Sequence, residues 1–199
     1  MVDEKLLTAE ELAERLALSP RSVIELARVE RENCWTFPLS DAAGRIVGLN
    51  RRFPDGGKRI MPGHKAGLYL PVDLPVNFAD LTLVVCEGGS DTAAGLDLGF
   101  WAVGRFSCTH GADLLRRLLR DRQPGQVVIV ADCDEHGAGQ RGAADLGRGL
   151  LPYARTLKIV TPPAKDLRCW KQAGANHLDL YQYIEVAEPI RLTITTKGQ

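Results

Sequence analysis

The sequence predicts an α/β fold: a parallel four-stranded sheet with helices on both faces, preceded by a small α+β subdomain rich in basic residues. Three observations lead there. Leu81–Cys86 and Val127–Val130 are largely apolar runs, the second wholly β-branched, the pattern of parallel strands buried on both faces. Each run stops abruptly at carboxylates, Glu87 in the first case and Asp132-x-Asp134 in the second. From Leu81 onward strand patterns (near 81–86, 100–104, 126–131 and 156–160) alternate with helical ones (near 90–98, 111–122, 140–150 and 175–185), as in a parallel sheet covered by its own crossovers.

In chain order, residues 1–32 form an N-terminal helical segment. Thr8 with Glu11 makes a capping box, and Ser19-Pro20 opens a second helix running to about Val29. Two short helices fit either a DNA-binding helix-turn-helix or a helical cap on the next subdomain. The second helix has few base-reading side chains, which favours the cap. Residues 33–75 read as short antiparallel strands: Trp35–Leu39, a turn at Asp41–Gly44, Arg45–Phe53, a turn at Asp55–Gly57, and Lys58–Met61. Strand alternation sets Ile46, Gly48 and Asn50 against Val47, Leu49 and Arg51, and so puts Arg51 and Arg52 on opposite faces. Prolines 71 and 75 mark the boundary to the main domain, 76–188, and 189–199 is a tail that either adds a strand or stays loose.

The acids dictate where the chemistry lies. An unpaired buried carboxylate is costly, so Glu87, Asp132 and Asp134 must stand where their strands leave the sheet. The carboxyl edge of an open α/β sheet is also where ligands bind. For Glu87 to meet Asp132 and Asp134 the first and third strands must be neighbours, which implies the spatial order 2-1-3-4. Residues i and i+2 of an extended segment point the same way, so both aspartates can face one hard cation, Mg²⁺ or Mn²⁺. Gly88 and Gly89 allow close backbone approach beside Glu87. Asp91 follows one turn later, and Lys165-Asp166 lies in the loop after the fourth strand, on the same edge. A plainer account exists for each: an Asp-x-Asp pair also makes turns and caps, Asp91 can cap its helix, and Lys165-Asp166 can be a surface pair.

Bulk properties narrow the class. The chain has 199 residues, no net charge and 45% hydrophobic residues, an ordinary globular balance. No apolar run approaches the roughly 18 residues of a membrane span, and no signal-peptide pattern is present, which predicts a cytoplasmic protein without membrane contact. Five cysteines without a C-x-x-C pair predict reduced thiols and no zinc site. Between residues 45 and 65 six basic residues (Arg45, Arg51, Arg52, Lys58, Arg59 and Lys65) face one acid, Asp55. A basic ribbon beside an acidic site suits a phosphate backbone held next to a metal.

Glu87-Gly-x-x-Asp91 after a buried strand, Asp132-x-Asp134 with a glycine-rich continuation, and Lys165-Asp166 together resemble the Toprim domain. That Rossmann-like domain is shared by bacterial-type primases, topoisomerases, OLD-family nucleases and RecR-type recombination proteins. Upstream, Trp35 through Arg52, Lys58 and Gly67-Leu-Tyr69 resemble the small basic subdomain that precedes Toprim in bacterial-type, DnaG-like primases. The resemblance covers about residues 35–170. It implies that Glu87, Asp132 and Asp134 are metal ligands and catalytic, that Asp91 and Asp166 support them, and that Arg51, Arg52, Lys58, Arg59 and Lys65 contact nucleic acid. Gly88, Gly89 and Lys165 would then lie near the nucleotide phosphates. The implied partners are single-stranded DNA, nucleoside triphosphates and a separate helicase. No zinc module precedes the core and the basic subdomain is short, which points to a plasmid-, phage- or island-type protein. Two other readings remain open at this point: a Toprim nuclease, in which water is the nucleophile, and a non-catalytic RecR-like DNA-binding module.

Overall fold

The computed structural model describes residues 13–14, 18–19, 28–30, 34–53 and 57–191. Its strands are β1 (Arg28–Glu30), β2 (Cys34–Ser40), β3 (Ile46–Arg52), β4 (Lys58–Ile60), β5 (Leu68–Tyr69), β6 (Thr82–Glu87), β7 (Trp101–Arg105), β8 (Gln126–Val130) and β9 (Thr156–Val160). Its helices are α1 (Gly89–Asp97), α2 (Ala112–Arg122), α3 (Ala138–Leu150), α4 (Leu167–Gln172) and α5 (His177–Val186).

The apolar runs sit at the centre, as their composition requires. β7, β6, β8 and β9 lie side by side and parallel, the order 2-1-3-4. Alternate residues serve opposite faces. Leu83, Val85, Val127 and Ile129 pack against α2 and α3, and Val84, Cys86, Val128 and Val130 pack against α1, α4 and α5. Leu83, Val84, Val127, Val128, Leu115 and Leu118 are fully buried, each contributing about 1.5–3 kcal/mol of transfer free energy. Lys158, a buried charge within β9, is accommodated because its Nζ donates to the carbonyl of Ile184 at the end of α5, at 2.7 Å.

The basic segment does not form a sheet of its own. β2, β3 and β4 pair antiparallel, and the two-residue β5 joins them to β7 through Ser40–Leu68 and Leu68–Arg105 pairs. The result is one nine-stranded mixed sheet, with the loop containing prolines 71 and 75 running outside it. Gly48 and Gly67 permit this junction: a Cβ at Gly48 would overlap the carbonyl of Lys65, and one at Gly67 would lie 2.7 Å from that of Ser40.

Three expectations need amendment or fall elsewhere. Arg28–Glu30, expected to end a helix, is a strand paired with Cys34–Thr36, so the strand-forming edge of β2 overrides local helical pattern. Of the rest of the helices expected over 8–29 only 13–14 and 18–19 are among the described residues: Ala13 and Glu14 are helical, the Leu18 N–H donates to the carbonyl of Ala13, and the Ser19 hydroxyl donates to Asp97. Helix α4 was unexpected. It is a six-residue helix begun by Asp166, too brief to show a period. The tail begins on the edge of the sheet, where Ile190 N–H donates to Leu157 at 2.8 Å, and 192–199 lie outside the described residues, as does the turn over 54–56.

Candidate active site

Strand register builds the site. Glu87, the last residue of β6, lies opposite Arg105, the last of β7. Val85 lies opposite Ile129 on β8, so the chain beyond Val130 carries Asp132 past the same edge. Gly88 then turns with φ +91°, a conformation that favours glycine, and starts α1. Its neighbour Gly89 packs against Phe37 of β2 and Tyr69 of β5, where a Cβ would come within 2.9 Å of the Phe37 ring. Through this contact the basic half of the sheet is held against the acidic edge. Asn50 and Tyr69 fix it further with a buried hydrogen bond of 2.7 Å from the amide to the phenol oxygen.

Four carboxylates gather at this edge. Glu87 is half-buried and receives Arg105 Nη2 at 3.7 Å. Asp91 is 7% exposed and accepts from the backbone N–H of Arg168 at 3.0 Å. It therefore joins α1 to the start of α4 and does not cap its own helix. Asp166 caps α4, accepting from Cys169 N–H at 2.6 Å. Asp132 stands among them. Burial, then the charges of Asp91, Glu87 and Asp166, push its pKa from an ordinary 3.8 to about 7, against the attraction of Lys58. Asp91 is raised to about 6 by burial and by Asp166, opposed by the Arg168 N–H and Lys58. Mutual repulsion of this kind marks carboxylates that share one low-dielectric place.

Asp134 behaves differently. Its carboxylate accepts from the backbone N–H groups of His136 (3.0 Å), Ala138 (2.9 Å) and Gly139 (2.5 Å), and these bonds, Gly139 first, hold its pKa below the usual carboxylate range. The structure thus brings Glu87, Asp91, Asp132 and Asp166 together and turns Asp134 toward the loop that starts α3. Such turn-forming use of an aspartate is the competing role of Asp-x-Asp pairs. Gly139 is needed here because a Cβ would overlap the Asp132 carbonyl. Oxygen donors of this set suit a hard cation such as Mg²⁺ or Mn²⁺. As they stand, no three His, Cys, Asp or Glu side chains among the described residues are close enough to share one ion. The carboxylates form an electrostatic cluster.

The basic residues divide by face. Arg52 lies opposite Lys58, and Arg51 opposite Arg59. Lys58 reaches the acidic edge: its Nζ is 3.8 Å, and Asp91 Oδ2 3.9 Å, from where a Cβ of Gly88 would stand. On the other face Arg51 and Arg59 flank the ring of Phe53 at 5.5 and 5.7 Å, a cation–π arrangement that presents charge and an aromatic surface together. Lys65 is exposed in the following loop. Lys165 is exposed too, and its carbonyl accepts from Cys133 N–H at 2.8 Å, tying the last loop to the Asp132 loop. Arg105 and Phe53 were not singled out from the sequence. A charge closing an apolar strand at Val103-Gly104-Arg105 was the available signal for the first.

All five cysteines are free thiols, and Trp35 is buried in the core. No helix among the described residues is long and apolar enough to cross a membrane.

No protein-family model and no curated protein matches the sequence. Solved structures do match. A DnaG catalytic core superposes with a TM-score of 0.68 at 19% identity, covering 91% of this chain and 73% of that one. A DnaG primase catalytic domain bound to single-stranded DNA gives 0.62 at 20% identity, covering 90% and 65%. The primase fragment of the bacteriophage T7 primase-helicase protein gives 0.64 at 18% identity, covering 86% and 72%. The fold is that of the DnaG-type primase catalytic core, and the chain spans about two thirds to three quarters of those chains' lengths.

Proposed function

We propose that this chain is a primase-like enzyme that joins nucleotides on a single-stranded DNA template with Mg²⁺ or Mn²⁺. The observation that carries the proposal is the convergence of Glu87, Asp91, Asp132 and Asp166, from three separate stretches of the chain, on the carboxyl edge of a DnaG-type sheet. The raised pKa values of Asp91 and Asp132 support it, since carboxylates that repel one another gain from a divalent cation between them. Glu87 and Asp132 would hold the metal, with Asp91 and Asp166 supporting and Asp134 contributing once released from its loop. When bound, the metal supplies charge neutralisation for phosphoryl transfer.

The chain's own groups supply the rest. Arg105 orients the Glu87 carboxylate, which serves as a ligand or takes the proton of the attacking 3′-hydroxyl. Lys58 offsets negative charge at the centre and stands ready for a phosphate. Arg51, Arg52, Arg59 and Lys65 lie along the adjoining half of the sheet, where a template strand would pass, with Phe53 as a stacking surface. Gly88, Gly89 and Lys165 border the nucleotide where it meets the carboxylates. Unwinding would come from a separate helicase.

The test is incubation with single-stranded DNA, Mg²⁺ or Mn²⁺ and labelled nucleoside triphosphates. New oligonucleotides support the proposal. Shortened template identifies a nuclease, and DNA binding without either product identifies a non-catalytic module. Asp132→Asn should abolish synthesis and leave DNA affinity intact.

A further inference from the structure

Beside the carboxylates lies a second feature with the opposite charge. A cavity of about 440 Å³ opens between the loop after β7, the first turn of α2 and the start of α3. Arg105, Arg116 and Arg141 line it, with Thr109, Ala112 and Gly142. Asp145, the one acid in its wall, is ion-paired with Arg148 on the same helix. Arg105 is only 5% exposed. Three guanidiniums meet here, one of them buried, with carboxylate partners only at the rim, Glu87 for Arg105 and Asp113 for Arg116.

Each arginine also keeps unused donors. A guanidinium carries five N–H groups in a planar fork. Arg105 Nη1 donates to the Cys108 carbonyl at 2.7 Å, and its Nη2 meets Glu87 only at 3.7 Å. Arg141 Nη1 donates to the His136 carbonyl at 2.7 Å, and Arg116 pairs with Asp113 one turn away. Helix α2 begins at Gly111 with no side-chain cap, and its first residue, Ala112, forms part of the wall. The three forks and this helix start together suit an extended, multiply charged oxyanion more than a single carboxylate.

We propose that this cavity holds the polyphosphate tail of a nucleotide, gripped by Arg105, Arg116 and Arg141. The choice of a nucleotide rests on the polymerising function proposed above; a polyphosphate site does not. Arg105 couples the cavity to the carboxylates, because the same Nη2 serves Glu87 on one side and lies against Gly142 on the other, 3.6 Å from where its Cβ would be. A polyphosphate in the cavity competes with Glu87 for Arg105 and so frees that carboxylate when substrate arrives.

The test is calorimetric titration of the full chain with inorganic tripolyphosphate and with adenosine triphosphate, both in EDTA so that no metal site contributes. Both should bind. Arg116→Ala and Arg141→Ala, at exposed or half-exposed positions that leave the core intact, should each weaken binding about tenfold or more. Gly142→Glu, whose Cβ has room at 3.4 Å from Cys108, should abolish binding while circular dichroism shows a folded protein. Absence of tripolyphosphate binding overturns the proposal. So does binding that Arg116→Ala, Arg141→Ala or Gly142→Glu leaves undisturbed, or binding of the nucleotide without the bare tripolyphosphate. Primer synthesis measured on the same preparations separates the two claims. Synthesis without tripolyphosphate binding removes the cavity alone, and tripolyphosphate binding without synthesis removes the polymerising function alone.

Discussion

Asp91→Asn should make the metal-free protein more stable at neutral and alkaline pH. Asp91 is buried, and its one fixed donor is the Arg168 N–H, which the side-chain carbonyl of an asparagine can still receive. What the substitution removes is the cost of ionising a buried carboxyl beside Asp166. A pKa raised from 3.8 to about 6 means that the folded state holds a proton the unfolded chain has already lost. Below the unfolded value both states are protonated and the carboxyl costs nothing. Between 3.8 and about 6 the wild-type protein loses stability as pH rises, and above that the loss is complete, at ~3 kcal/mol. For a chain of 199 residues that is a Tm difference of about 6–12 °C. Thermal melts of both proteins in EDTA, near pH 4 and near pH 8, measure it. A variant no more stable than wild type near pH 8, or a gain of equal size at both pH values, would refute the electrostatic account of the cluster.

Other expectations follow from the same geometry. Added Mg²⁺ should raise the wild-type Tm more near pH 8 than near pH 5, because Asp91 and Asp132, at about 6 and 7, must lose protons before they can bind a cation; EDTA should reverse the gain. Arg51→Ala should lower single-stranded DNA affinity and reduce the slope of log K against log salt by about 0.7, read by fluorescence anisotropy across a salt series. Tyr69→Phe should cost about 1–3 kcal/mol in urea melts, since it leaves the Asn50 amide buried without the phenol oxygen it now meets at 2.7 Å.

Much of the fold was legible in order. Leu81–Cys86 and Val127–Val130 are too apolar for a half-exposed strand, and placing Glu87 near Asp132 required their strands to be neighbours, which the sheet order 2-1-3-4 satisfies. The amphipathic helices over 112–122 and 138–150 carried a clear period. Helix α4 and strand β1 did not, because one is only six residues long and the other is three residues held by pairing with β2.

The site was legible in composition and less so in arrangement. That Glu87 and Asp132 belong to one edge follows from acids ending apolar strands, a rule of solvation that acts locally, and Asp91 and Asp166 were read onto that edge from their places one turn after Glu87 and in the loop after the fourth strand. The direction in which each carboxylate points does not follow, because it depends on which backbone N–H groups the fold leaves within reach. Asp134 looked equivalent to Asp132 at a spacing of two, yet the N–H groups of His136, Ala138 and Gly139 converge on it and turn it away. Arg105 became visible only when β7 lay beside β6 and set it against Glu87. Residue order alone determined the layers, the strand neighbours and the acidic edge, because burial and hydrogen-bonding costs are paid residue by residue. Only the tertiary structure decided which charges face one another, because Coulomb energies depend on distances between segments far apart in the chain.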